Sequence, residues 1–197
     1  MANIATIETL IEGSLEELSK IGEENNIRQN AESRLIFPKK RKGEKRISEQ
    51  ELRFLLAREL EKQKEFYYSM ETPTEDKYSF KGKKALSARI DLCLHNSKGK
   101  RISLIELKHE NVDVKNDFLK LLCDSETEQN YFVQFVYNAD KNTIPNTESK
   151  YKEALDFIFR KKKEIKSCVK IFLFVIKKEK LHKYEVSKDG ILNKVGS

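Results

Sequence analysis

Three cysteines and three histidines in 197 residues leave little room for the chemistries that depend on them. Cys93, Cys123 and Cys168 are scattered, odd in number and each beside apolar residues, which points away from a disulfide framework or a zinc cluster and toward a reduced, intracellular chain. His95, His109 and His182 stand at no metal-ligand spacing, and the seven glycines are dispersed, forming neither a phosphate loop nor a dinucleotide fingerprint. Long apolar runs are also lacking. The longest, Ile171 to Ile176, is far too short to span a bilayer, and the N-terminus has neither the basic segment nor the apolar core of a signal peptide. A soluble, cytoplasmic protein without a membrane partner is the expectation.

Charge, by contrast, is abundant: 36% of the residues are ionic and the formal net charge is +7. It is unevenly placed. The first 26 residues carry a net −5, so the rest carries +12. Such an excess suggests a polyanionic partner. Hydrophobic residues at 38% still permit one core, and the length suits one domain with an appendage.

Residues 4–21 place Ile4, Ile7, Ile11, Leu15, Leu18 and Ile21 at helical spacing, with Gly13-Ser14 as a point of interruption and an acidic opposite face. This helix either packs on its own domain or serves a homodimer. Residues 38–46 are strongly basic, reading as a solvated linker or a phosphate-contacting arm. Ser48-Glu49-Gln50-Glu51 forms a capping box that opens a helix with Leu52, Leu55, Leu56 and Leu60 inward. Phe66 to Met70 is a strand candidate ended by Thr72-Pro73-Thr74. A loop follows with Lys77, Lys81, Lys83 and Lys84 around Tyr78 and Phe80, a mixture suited to phosphates and bases or to plugging a loop.

The stretch Ser87 to Asn111 reads as two antiparallel strands joined by the turn Asn96-Ser97-Lys98-Gly99-Lys100. Strand alternation puts Arg89, Asp91 and Cys93 on one face and Ala88, Ile90, Leu92 and Leu94 on the other. In the second run Ile102, Leu104, Glu106 and Lys108 share a side, with Ser103, Ile105 and Leu107 opposite. Pairing through the turn brings one carboxylate from each strand, and an ammonium, to one spot. Hard divalent cations bind at such spots. The bland alternative is an exposed aspartate beside a surface ion pair, worth roughly 0–1 kcal/mol. Apolar neighbours make that reading costly.

Downstream, the pattern predicts a helix over 112–124, a strand over 131–137, a loop over 138–146, a helix reaching Ile165, a strand over 168–176, and an edge strand over 181–186 before a polar tail.

Ile90-Asp91 followed by Glu106-Leu107-Lys108 resembles the signature of the PD-(D/E)XK nucleases, the restriction-endonuclease-like superfamily, with Ile90 in place of the proline. The resemblance covers roughly residues 48–176 and includes the order strand, strand, strand, helix, strand. It implies an α/β fold with a central mixed β-sheet flanked by helices: a nuclease-like domain over 48–197, preceded by an N-terminal helical extension and basic linker over 1–47. It also implies Mg²⁺ or Mn²⁺ held by Asp91, Glu106 and the carbonyl of Leu107, with Lys108 catalytic and a helix carboxylate, Glu49 in preference to Glu51, aimed at the metal. Lys81, Lys83, Lys84 and Lys120 are the candidate nucleic-acid contacts, Lys120 having a solvated alternative. The implied activity is phosphodiester hydrolysis, as a DNA endonuclease of restriction, repair or defence type. A nuclease for RNA or branched DNA, and an inactive nucleic-acid-binding or scaffolding protein with the same fold, are the alternatives.

Overall fold

The apolar stripe near the N-terminus folds as helix α1 (Ile4–Gly22). The computed structural model describes residues 4–22, 34–38, 46–78, 86–110, 112–123, 127 and 129–196. Helix α1 runs straight through Gly13-Ser14, where the sequence suggested an interruption. Glycine in a helix costs about 1 kcal/mol, less than is gained by burying Ile11, Leu15 and Leu18, all of which are fully enclosed. Helix α2 (Glu49–Glu61) opens on its capping box: the Ser48 N–H and Oγ donate to Glu51 Oε2 at 2.8 and 2.6 Å.

Strands β1 (Tyr67–Tyr78), β2 (Leu86–His95) and β3 (Arg101–His109) follow, then α3 (Lys115–Cys123), β4 (Gln129–Val136), α4 (Thr143–Arg160) and β5 (Cys168–Val175). A 3-10 turn, Ile176–Lys178, leads into β6 (Lys180–Val186) and β7 (Leu192–Gly196). The seven strands lie in one mixed sheet in chain order. Helices α3 and α4 make the parallel crossovers β3–β4 and β4–β5, and the other neighbours are antiparallel.

Both faces of the sheet are covered. On one, α1 and α2 pack against Leu92, Leu94, Ile105, Leu107 and alternate residues of β4 and β5; on the other, α3 and α4 pack against Leu104, Phe132, Ile171 and Leu173. The central strands are therefore apolar nearly throughout, as doubly covered parallel strands must be. Helix α1 belongs to the same core as α2 and the sheet. Its acidic face adds ion pairs from Glu8 to Lys170 and from Glu12 to Lys183, the latter at 2.6 Å.

Several boundaries differ from expectation. β1 continues through Thr72-Pro73-Thr74, because it is an edge strand and Pro73 needs no donor on its open side. Helix α4 starts eight residues before Tyr151. Asp140 Oδ1 accepts from the N–H groups of Asn142 and Thr143 at 3.0 and 2.8 Å, and Pro145 sits in the first turn, where its missing donor is harmless. Strand β6 is not the edge. Lys188-Asp189-Gly190, with Gly190 at φ +73°, turns the chain back as β7 where a polar tail was expected.

Candidate functional site

The turn between β2 and β3 fixes the register that builds the site. Asn96 Oδ1 accepts from the N–H groups of Lys98 and Lys100 at 2.9 and 3.0 Å, and Gly99 takes φ +75°, a conformation that suits glycine. From there the ladder runs to Leu92 opposite Ile105 and ends. One residue further, Asp91 Oδ2 accepts the Leu107 N–H at 2.8 Å, so a side chain takes the place of the next ladder bond. Beyond that point β3 pairs with β4, leaving a fork between β2 and β3.

The alternation of β2 breaks at this fork. Ile90 packs with Cys93 under α3 and α4, whereas Leu92 and Leu94 pack under α1 and α2. The sequence pattern had placed Ile90 with Leu92 and Leu94. Across the sheet the β1–β2 ladder skips the Glu71/Asp91 position, and Glu71 stands in the left-handed region at φ +51°. A local irregularity of this kind shifts which face the following residues occupy and re-aims one side chain. Asp91 is the residue re-aimed. Ile102, expected beside Leu104, likewise packs on the α1/α2 side, next to the register shift between Leu94 and His95.

Glu106 and Lys108 both lie toward α3, which supplies two further charges. Glu106 is only 4% exposed, and its Oε1 lies 2.5 Å from Lys120 Nζ in a buried ion pair. Lys120 Nζ also donates to the Arg89 carbonyl at 3.0 Å and sits 3.1 Å from Asp117 Oδ1. The other oxygen of Asp117 is 3.1 Å from Lys108 Nζ. Helix α3 is held in place by Asn130, which donates to the Leu121 carbonyl at 2.6 Å and accepts the Leu104 N–H at 2.8 Å.

Burial drives the Glu106 pKa well above the usual carboxylate range; the neighbouring Asp91 and Asp117 add to the rise and Lys120 opposes it. Burial alone would lower the two lysines, but the carboxylates outweigh it. Asp117 leads at Lys108, and Glu106 followed by Asp117 at Lys120, so both ammonium groups are held above their ordinary pKa.

On the α2 side of the fork, Arg53 spans two carboxylates. Its Nη1 donates to Glu71 Oε1 at 2.6 Å and its Nη2 to Asp91 Oδ1. Glu49, four residues earlier on the same helix, accepts the His109 N–H at 3.1 Å, beside the end of β3.

The fold thus brings Asp91, Glu106, Leu107, Lys108 and Lys120 to one fork, with Glu49 at its margin. Lys120 is 7% exposed, which removes its solvated alternative. Lys81, Lys83 and Lys84 lie outside the described residues. Arg53, Glu71 and Asp117 were missed. Two of them carried a signal: Arg53 follows Glu49 by one helical turn, and Asp117 precedes Lys120 at the i, i+3 spacing of a helix ion pair.

Among the described residues, no group of three or more His, Cys, Asp or Glu side chains converges as a cage for a metal ion. Two carboxylates and a backbone carbonyl remain a donor set that suits Mg²⁺, which is commonly held by one or two carboxylates, with water and phosphate completing the shell. No protein-family model, curated protein or solved structure matches the chain. Among the described residues, no helix is long and apolar enough to cross a membrane.

Proposed function

We propose that this chain is a divalent-metal-dependent nuclease of the restriction-endonuclease-like kind, acting as an endonuclease on DNA. The observation that carries the proposal is the meeting of Asp91 from β2 with Glu106 and Lys108 from β3, where the ladder between those strands ends. The element order α2-β1-β2-β3-α3-β4 supports it, since it agrees with the resemblance read from the sequence.

Asp91, Glu106 and the Leu107 carbonyl would hold the metal. A bound divalent cation polarises a phosphoryl oxygen and lowers the pKa of an attacking water. Lys108 contributes charge rather than basicity, because Asp117 keeps its ammonium protonated. It orients the water through N–H donation and offsets negative charge developing on the phosphorane. Lys120 neutralises Glu106 inside the protein and steadies α3 against β2 through the Arg89 carbonyl.

A second reading has its own observation: Arg53 and Lys120 already supply counter-ions to Asp91 and Glu106, as an inactive nucleic-acid-binding protein of this fold would require. A cleavage panel of single-stranded, duplex and branched DNA plus RNA, with Mg²⁺ or Mn²⁺, separates the two. Cleavage of duplex DNA that Asp91→Ala and Glu106→Ala abolish is the expected result. Binding without cleavage of any substrate would put the second reading in its place.

A further inference from the structure

Arg53 is seated as a movable counter-ion would be. Its guanidinium reaches Glu71 Oε1 at 2.6 Å through one terminal nitrogen and Asp91 Oδ1 through the other, while Nε is buried without an acceptor. The two carboxylates it bridges also differ. The Asp91 side chain is 16% exposed and is held by the Leu107 N–H through Oδ2, whereas the Glu71 side chain is 44% exposed. Oδ1 of Asp91, the oxygen free of the backbone bond, is therefore the one that Arg53 occupies.

Resting on the nuclease reading above, we infer that Arg53 is the resident counter-ion of Asp91 and is displaced from it by the divalent metal, retreating onto Glu71. A dication and a guanidinium that share one carboxylate oxygen repel each other strongly in a part-buried site. One must leave for the other to bind. Arg53 can leave without losing all its partners, because Glu71 already accepts from Nη1. In the metal-free protein the ion pair serves a separate end: it neutralises Asp91 beside the buried Glu106, whose charge Asp91 would otherwise oppose.

Competition of this kind predicts opposite effects at the two partners of one ion-pair chain. Arg53→Gln removes the competitor, and Mn²⁺ affinity measured by calorimetry on the full chain should rise by about tenfold, equivalent to about 1.4 kcal/mol. Glu71→Gln removes the retreat, so affinity should fall. In the double variant the Glu71→Gln loss should largely disappear, because it acts through Arg53. Arg53→Lys, which keeps the charge but cannot bridge both carboxylates, should bind Mn²⁺ more tightly than the parent and less tightly than Arg53→Gln. It also stands in should Arg53→Gln not fold, as judged by circular dichroism.

Asp91→Asn serves as the control in each background. If Mn²⁺ binds in an Asp91-dependent way and neither Arg53 variant binds it more tightly than the parent, the counter-ion inference is overturned while the nuclease reading stands. If no background shows Asp91-dependent Mn²⁺ binding, both are overturned.

Discussion

Asp117 and Lys108 stand 3.1 Å apart, joining the first turn of α3 to the end of β3. The same carboxylate reaches Lys120 with its other oxygen, so one buried aspartate sets the positions of two ammonium groups. Asp117→Asn should leave Mn²⁺ affinity little changed and lower turnover on the order of 10²-fold, since small misplacements of a catalytic group cost about that much. Steady-state kinetics on duplex DNA, with matched thermal melts, checks this. A variant as fast as the parent would deny Asp117 the positioning role.

Glu106 and Lys108 have different tasks two residues apart, and their replacements should fail differently. Glu106→Ala removes a metal ligand, so higher Mn²⁺ should recover part of the activity. Lys108→Ala should retain metal affinity and lose turnover, because an interaction made mainly in the transition state affects rate rather than ground-state binding. Calorimetry beside kinetics separates the two. Metal rescue of Lys108→Ala would reverse the assignment.

The core contact of α1 can be tested without substrate. Leu15 is fully enclosed on the buried face of α1, and Leu15→Ala should cost about 2–5 kcal/mol in urea unfolding. The loss should not depend on protein concentration, since the stripe is buried within the same chain. A midpoint that moves with concentration would show that α1 also serves an intermolecular contact.

His182 of β6 gives the protein an acid-side sensitivity. Burial pushes its pKa below the ordinary value, Lys194 and Lys180 push it further and Glu148 opposes them; its Nδ1 is buried without a partner. A depressed folded pKa means that the unfolded chain takes up the proton first. The stabilising contribution is therefore complete above about pH 6.5 and is lost as pH falls through the depressed value. Urea midpoints at pH 7.5 and 5.5 should fall more for the parent than for His182→Gln. Equal losses would assign the acid sensitivity to other groups.

The hairpin and its two acidic strands were legible because strand alternation and a late glycine are local signals, and the faces of β3 from Leu104 onward follow them. Ile90 was not, because the break at Glu71 and Asp91 depends on how β1 meets β2, and nothing in either run announces a left-handed glutamate. Arg53 escaped for a related reason. Its partners lie 18 and 38 residues away, on two different strands. The last strand was legible and overlooked: Asp189-Gly190 between Val186 and Leu192 is a hairpin signal inside a segment whose polarity suggested a tail.

The sheet's strand order has a consequence for assembly. Each strand neighbours its immediate predecessor in the chain, so during synthesis the sheet can grow one strand at a time at a single advancing edge, the two parallel steps waiting on the crossover helices α3 and α4. Helix α1 is the exception. It precedes every strand of the sheet in the chain, yet its ion pairs are to Lys170 and Lys183, so its seat is finished only when β5 and β6 have been made. A helix made before the sheet is thus among the last elements that can dock, and until then its apolar stripe is open to other chains.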